Sequence, residues 1–89
     1  MVSDSVKLVN RYGLHARAAA QFVATACTYK SDIYVSKAGD CRKADGKQPM
    51  DVLGINASKG DVICIAADGP DEEEALNALM NLAASGFRR

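Results

Sequence analysis

The stretch Asn10-Arg11-Tyr12-Gly13-Leu14-His15-Ala16-Arg17-Ala18-Ala19-Ala20 joins a glycine turn to a run of helix-forming residues. It holds the only histidine of the chain, and an arginine follows two positions later. Gly13 interrupts the pattern that precedes it, and the alanines favour a helix from residue 16 onward. The stretch therefore predicts a strand-to-helix junction with His15 near the N-cap of the helix.

Outward from this junction, alternating apolar and polar residues predict strands, whereas three- and four-residue spacing predicts helices. The first helix should bury a stripe of small residues, namely Ala16, Ala19, Ala20, Val23 and Cys27. The last helix should have an acidic first turn and a buried stripe that includes Met80. The predicted order is strand 6–8, helix 16–29, strands 32–36 and 41–44, helix 49–53, strand 61–67, and a helix that starts at 69–70 and stops at Gly86.

This β-α-β-β-α-β-α order predicts an α+β fold, an open-faced β-sandwich. A sheet whose strands have one polar face is covered by helices on the other face only. We therefore expect a four-stranded antiparallel sheet with three helices on one face. Eighty-nine residues are enough for a single domain, 1–89.

Composition excludes several classes of function. The chain has 11 basic and 11 acidic residues and no basic block, which disfavours nucleic-acid binding. The sequence contains no run of about 18 apolar residues, so we expect no membrane-spanning helix. The N-terminal Met-Val-Ser-Asp-Ser lacks a basic start and an apolar core, so we expect no membrane insertion, no export and a cytoplasmic location.

The cysteine pattern predicts no metal site. Cys27, Cys41 and Cys64 are far apart, and only one histidine could join them as a ligand. A structural zinc site needs about four ligands at short spacings. We therefore predict reduced thiols, no metal and no cofactor.

His15 itself allows two interpretations. Unpaired amides at a helix N-terminus favour an anion and disfavour a protonated imidazole, so a neutral, nucleophilic His15 beside the fixed charge of Arg17 could accept a phosphoryl group. Alternatively, His15 merely caps the helix and Arg17 is a surface charge. A hydrolytic triad is less favoured, because no second histidine or adjacent nucleophile accompanies His15.

Residues 13–17, Gly-Leu-His-Ala-Arg, followed by Ala-Ala-Gln-Phe-Val at 19–23, closely resemble the active-site segment of a known family. This is the histidine-containing phosphocarrier (HPr) family of the phosphoenolpyruvate-dependent phosphotransferase system. Segments 45–47, 57–61 and 69–76 are similar to the family's segments around its second helix and at the start of its last helix. The resemblance covers nearly the whole chain.

The resemblance implies a phosphoryl carrier, not an enzyme, that takes the group from enzyme I at Nδ1 of His15 and passes it to an EIIA-type protein. Arg17 would help to bind the phosphoryl group, and the amides of Ala16, Arg17 and Ala18 would face it. The chain is expected to be a monomer. The docking patch implied for both partners consists of Ala20, Pro49, Met50 and Leu53, although Leu53 fits a core position equally well.

Two positions depart from the family pattern. Ala18 stands where the family usually has proline, and Gln48 stands where many Gram-positive relatives have a regulatory serine. Residues 69–76 and 85–87 resemble the nitrogen-related paralogue NPr, whereas residues 21–23 look more like the sugar-system carrier. The branch stays open, and two alternatives remain: a regulatory module of the same fold that acts mainly through partner binding, and a small stand-alone enzyme.

Overall fold

A computed structural model describes residues 1–40 and 42–87, and in these residues it has four strands and three helices in the predicted order. The elements are β1 (Val2–Lys7), α1 (Ala16–Ala26), β2 (Asp32–Lys37), β3 (Ala44–Asp45), α2 (Pro49–Gly54), β4 (Val62–Asp68) and α3 (Glu72–Ala84).

The sheet has the strand order β1-β4-β2-β3, and every neighbouring pair is antiparallel. In the central strand β4, Ile63, Ile65 and Ala67 are completely buried, while the alternate residues Val62 and Cys64 are half-buried. This period of two leaves one face of the sheet open and places the other against the helices. The predicted α+β open-faced sandwich is confirmed.

The buried stripe predicted for α1 is wrong, because the helix is rotated about its axis by roughly one residue from the predicted orientation. The buried residues are Ala18, Ala19, Phe22, Val23 and Ala26, whereas Ala16, Ala20 and Cys27 are exposed. Phe22 is the largest completely buried side chain, and its burial sets which way the helix faces. The predicted stripe of α3 differs in the same way: Leu82 is buried, whereas Met80 is only half-buried.

Several predicted boundaries also differ. β1 starts at Val2 because it pairs with β4 along its whole length, from Val2 opposite Ala67 to Lys7 opposite Val62. α1 ends at Ala26 rather than near Tyr29, where the amides of Thr28 and Tyr29 bond three residues back in a tightened turn. The returning strand predicted at 41–44 is the two-residue β3, and Cys41 lies outside the described residues, as do Arg88 and Arg89.

A carboxylate joins the loop between α1 and β2 to the start of α3. Asp71 precedes α3 but does not cap it with its side chain. Its Oδ1 accepts hydrogen bonds from the hydroxyl and the amide of Ser31, at 2.5 and 2.9 Å, and its Oδ2 accepts one from the amide of Lys30 at 2.9 Å. The Ser31 hydroxyl, followed by the Lys30 amide, lowers the pKa of Asp71 from its ordinary 3.8 to about 2. α3 begins at Glu72, later than the predicted 69–70.

The predicted stop of α3 at Gly86 is confirmed. Gly86 has a φ of +76°, and its amide bonds to the carbonyl of Ala83 while the amide of Phe87 bonds to that of Leu82. This pair of bonds is the Schellman arrangement that closes many helices. The ring of Phe87 is buried, so the end of α3 is fixed against the core.

Candidate phosphoryl-transfer site

The loop that carries His15 is fixed to the segment after α2. The amide of Leu14 donates a hydrogen bond to the carbonyl oxygen of Ala57 at 3.0 Å, and the Leu14 side chain is buried. Gly13 has a φ of +63°, and a β-carbon on it would stand 2.5 Å from the same oxygen. On the other side of the turn, Nδ2 of the Asn10 side chain donates to the carbonyl oxygen of Gly13 at 2.5 Å. The direction in which the chain enters α1 is therefore defined by the core and by the 57–58 backbone.

His15 is the N-cap residue of α1, as its position in the sequence predicts. Its backbone is extended, with φ −92° and ψ −175°, and its carbonyl accepts the first hydrogen bond of the helix from Ala19 at 2.7 Å. Its side chain makes no capping hydrogen bond and is exposed. The purely structural interpretation, an imidazole that caps the helix, therefore finds no support in the geometry.

The guanidinium of Arg17 and the first amides of α1 directly follow His15 in the chain. The amides of Ala16, Arg17 and Ala18 donate no hydrogen bond to a backbone carbonyl of residues 1–40 or 42–87, as expected for the first turn of a helix. Ala16 and Arg17 are exposed, whereas Ala18 is only 5% exposed and packs in the core. Ala16 and Arg17 thus lie at the surface at the start of α1, and the guanidinium adds a fixed positive charge.

The four residues of the docking patch all lie at the surface. Met50 is 79% exposed and Leu53 is 36% exposed, and both are large apolar side chains on α2. Ala20 on α1 and Pro49 in the first turn of α2 are exposed as well. α1 packs against α2, and the only buried side chain within α2 is that of Val52. The core interpretation of Leu53 is therefore the less favoured one, and the two helices present an apolar surface to solvent.

Comparison with known proteins identifies the family of the chain. The model of the family described as "PTS HPr component phosphorylation site" matches residues 2–85. The chain belongs to the HPr family of the phosphotransferase system. It is 43% identical over 82 residues to the phosphocarrier protein HPr of Neisseria meningitidis, which covers 92% of this chain and 90% of the relative.

Two further similarities extend the comparison. A crystal structure of HPr-C-His from Thermoanaerobacter tengcongensis superimposes with a TM-score of 0.92 at 41% identity, covering 98% of this chain and 96% of the other. The chain is also 35% identical over 85 residues to the phosphoryl donor subunit DhaM of a PEP-dependent dihydroxyacetone kinase from Pantoea ananatis, matching 18% of that longer protein. The resemblance inferred from the sequence is thus confirmed, and the chain is by family a phosphocarrier rather than a catalyst.

Sequence reasoning missed hydrogen bonds that two basic side chains near α2 make to backbone carbonyls. Nζ of Lys47 donates to the carbonyl oxygen of Tyr29 at 2.8 Å, just beyond the end of α1. Nη2 of Arg42 donates to the carbonyl oxygen of Gly54 at 2.7 Å, at the end of α2. A cation at a helix C-terminus is a recognisable signal, but Arg42 lies 12 residues away from Gly54 in sequence, and local patterns do not report such a pair.

Neither a metal-binding cluster nor a membrane-spanning helix is found in the described residues. Among residues 1–40 and 42–87, no group of three or more His, Cys, Asp or Glu residues could hold a metal ion. None of the helices described there combines the length and the hydrophobicity that crossing a bilayer requires. Cys27 is exposed and Cys64 is half-buried on the open face of the sheet, where its Sγ lies 3.3 Å from the Ser5 hydroxyl.

Proposed function

We propose that this HPr-family chain carries a phosphoryl group on His15, receiving it from enzyme I and delivering it to an EIIA-type protein. The observation that carries the proposal is the position of His15. Its exposed imidazole stands at the N-cap of α1 without forming a cap. The chain around it matches the family model "PTS HPr component phosphorylation site" over residues 2–85, which supports a phosphorylated residue in this fold. An imidazole that has no structural duty is available for chemistry.

The chemistry is an in-line phosphoryl transfer. The lone pair on Nδ1 of His15 attacks the phosphorus, while the bond from phosphorus to the donor group of enzyme I breaks and its electron pair returns to that group. Arg17 and the amides of Ala16 and Arg17 stabilise the charge on the phosphoryl oxygens, since such transfers depend mainly on position and on charge stabilisation. The reverse geometry then serves the acceptor: its nucleophile attacks the phosphorus, the P–N bond to His15 breaks, and the electron pair returns to the imidazole.

The partners would complete the site. Exposed Met50 and Leu53 offer an apolar contact to both the donor and the acceptor, and methionine adapts to surfaces of different shape. The similarity to a donor subunit of a PEP-dependent kinase supports a phosphoenolpyruvate-driven chain of transfers. The proposal includes a cytoplasmic monomer and leaves both the sugar-system and the nitrogen-related EIIA proteins as acceptors.

One assay tests the function directly. Purified enzyme I, phosphoenolpyruvate and the chain should add the mass of one phosphoryl group, in a linkage that is labile in acid and stable in base. His15→Ala should accept none and should melt at the parental temperature, because the side chain makes no capping bond. Phosphorylation of His15→Ala under the same conditions would overturn the assignment, and parallel reactions with the two kinds of EIIA protein would identify the branch.

If the chain instead acts mainly as a regulatory binding module, the mass would stay unchanged while enzyme I or an EIIA protein still bound. Binding would then persist in His15→Ala and be lost in variants of the docking patch. Calorimetric titration of both proteins against the two variants separates this alternative from transfer.

A further inference from the structure

One peptide unit in the His15 loop, the unit between Gly13 and Leu14, is held at both of its ends. Its carbonyl oxygen accepts a hydrogen bond from Nδ2 of Asn10 at 2.5 Å. Its N–H group donates to the carbonyl oxygen of Ala57 at 3.0 Å. Because a peptide unit is planar, bonds at both ends fix its orientation as a whole. The chain passes from this unit directly to His15.

Asn10 is bonded to Gly13 twice. Besides the side-chain bond, the main-chain carbonyl of Asn10 accepts a hydrogen bond from the amide of Gly13 at 3.1 Å, so two bonds close the same turn. Asn10 is half-buried beside the end of α3, where a β-carbon on Gly86 would lie 3.7 Å from its Cβ. Within residues 1–40 and 42–87, no other donor bonds to the carbonyl oxygen of Gly13. The orientation of the Gly13–Leu14 unit therefore depends, on this side, on a single side chain.

The oxygen of the same Asn10 amide is unsatisfied. Oδ1 is shielded from solvent and accepts no hydrogen bond from the described part of the chain. A shielded acceptor without a donor costs free energy, and native proteins contain few of them. The amide cannot turn over to relieve this, because Oδ1 would then face another acceptor, the Gly13 carbonyl. Asn10 thus orients the loop while one of its own polar atoms stays unpaired, and local conflicts of this kind are typical of functional sites.

We propose that Asn10 is a positioning residue for phosphoryl transfer: by fixing the Gly13–Leu14 peptide unit, it sets the direction in which His15 is presented to the partner. The inference rests on the proposed function, since it assigns to Asn10 a part in transfer at His15. The imidazole is exposed and makes no capping bond, so its place depends on the backbone that leads to it. In-line transfer requires an accurately placed attacking nitrogen, and a displacement of about 1 Å lowers the rate strongly.

The test is Asn10→Leu in the transfer assay with enzyme I and phosphoenolpyruvate. Leucine has nearly the size and branching of asparagine but lacks both the donor and the acceptor. The substitution exchanges one unpaired acceptor, Oδ1, for another, the Gly13 carbonyl, so the midpoint of urea unfolding should stay close to the parental value. We expect kcat to fall by about threefold to tenfold, the effect of one hydrogen bond, with KM unchanged because the docking patch is intact. Asn77→Leu, at an exposed position of α3, is the matched control and should transfer at the parental rate.

Amide hydrogen exchange, followed by NMR, tests the same contact without any transfer. In the unaltered chain, the amide of Leu14 and one Nδ2 proton of Asn10 should exchange slowly with solvent. In Asn10→Leu, the amide of Leu14 should exchange faster, whereas that of Ile65 in the central strand β4 should keep its parental rate.

A parental kcat in Asn10→Leu, fast exchange of the Leu14 amide in the unaltered chain, or an unchanged exchange rate in the variant would each overturn the proposal. A loss of kcat that accompanies a lower urea midpoint would show a merely structural role, and a higher KM at parental kcat would show a role in docking; both results contradict positioning. If the unaltered chain accepts no phosphoryl group, the proposed function fails, and the exchange of the Leu14 amide still decides whether Asn10 fixes the loop.

Discussion

Gly13 packs directly against the carbonyl of Ala57, the oxygen to which the next residue of the loop is hydrogen-bonded at 3.0 Å. A β-carbon on Gly13 would stand 2.5 Å from that oxygen and 2.6 Å from Cα of Ser58. Both neighbours are backbone atoms, which cannot rotate away as a side chain can. Because Gly13 has no β-carbon, the His15 loop can lie against the segment after α2.

We therefore expect Gly13→Ala to destabilise the fold and to slow phosphorylation. The strain of a positive φ costs about 1 to 2 kcal/mol, and displacement of the 57–58 backbone adds to it. Gly39→Ala is the matched control, since Gly39 also has a positive φ, +88°, but has nothing within 4 Å of the added carbon. Urea unfolding and the rate of phosphorylation by enzyme I should both be affected more by Gly13→Ala. Equal effects of the two substitutions would mean that the contact with Ala57 does not constrain the loop.

Arg17→Ala should slow transfer with almost no loss of stability. The lost charge-assisted hydrogen bonds to the phosphoryl group correspond to about a 10- to 100-fold lower rate. Since Arg17 is exposed and forms no ion pair with the acids among the described residues, the free energy of unfolding should change by less than about 0.5 kcal/mol. Rapid-quench kinetics and thermal melting give the two readings. A parental transfer rate in Arg17→Ala would remove Arg17 from the site.

Met50→Glu should weaken the binding of enzyme I. The substitution replaces the most exposed large apolar side chain of the patch by a charged one. We expect the dissociation constant for enzyme I to rise by about tenfold or more. Asn77→Glu, on an exposed position of α3 away from the patch, is the control. Calorimetry of both variants measures the effect. If Met50→Glu binds as tightly as Asn77→Glu, the interface does not include α2.

The fold could be predicted from the sequence because its main signals are local. The glycine turn, the alternation in β4 and the stop of α3 at Gly86 each depend on residues that are close in sequence. The position of His15 at the N-cap belongs to the same class, because a turn followed by helix formers defines it. These features also position the candidate site, and so its first residues could be named without a structure.

The features that sequence reasoning missed depend on contacts between distant segments. An alanine-rich helix has no obvious apolar face. The packing of Phe22 decides which side of α1 turns toward the core, and spacing alone could not predict it. The short β3 exists through its pairing with Tyr34 and Val35. Asp71 uses its carboxylate to bind Ser31, 40 residues earlier in the chain, instead of capping α3. Each case is a tertiary contact that overrides a local preference.

The bonds to Asp71 predict a pH dependence of stability. Its pKa is lowered to about 2 from 3.8, so the unfolded chain binds the proton more tightly than the folded one. The stabilisation is therefore complete above about pH 4 and is lost as the pH falls toward 2. Asp71→Asn, which resembles the protonated form, should be less stable than the parent at pH 7, and the difference should shrink between about pH 4 and pH 2.

Acid titrations of chemical unfolding measure this difference. Glu73→Gln is the control, because Glu73 is exposed on the same first turn of α3 and has no bond to Ser31. A difference between Asp71→Asn and the parent that stays constant down to pH 2 would show that the carboxylate charge does not stabilise the fold.

The last prediction is that the chain escapes control by an HPr serine kinase. Gln48 is the exposed N-cap of α2, the place that the family resemblance assigns to the regulatory serine, and its amide cannot form a phosphoryl ester. A phosphoserine there would add about −1.5 to −2 charges beside Met50 and would repel an acidic partner, so Gln48 keeps this surface neutral. Ser58 is exposed but lies after the end of α2, where its own backbone amide donates a hydrogen bond to the Asp61 carboxylate. A kinase that recognises the start of α2 would not reach it. Incubation with the kinase and ATP should leave the mass unchanged, whereas Gln48→Ser should restore modification unless Pro49 blocks recognition. Phosphorylation of the unaltered chain on Ser58 or another serine, with loss of enzyme I binding, would contradict this prediction.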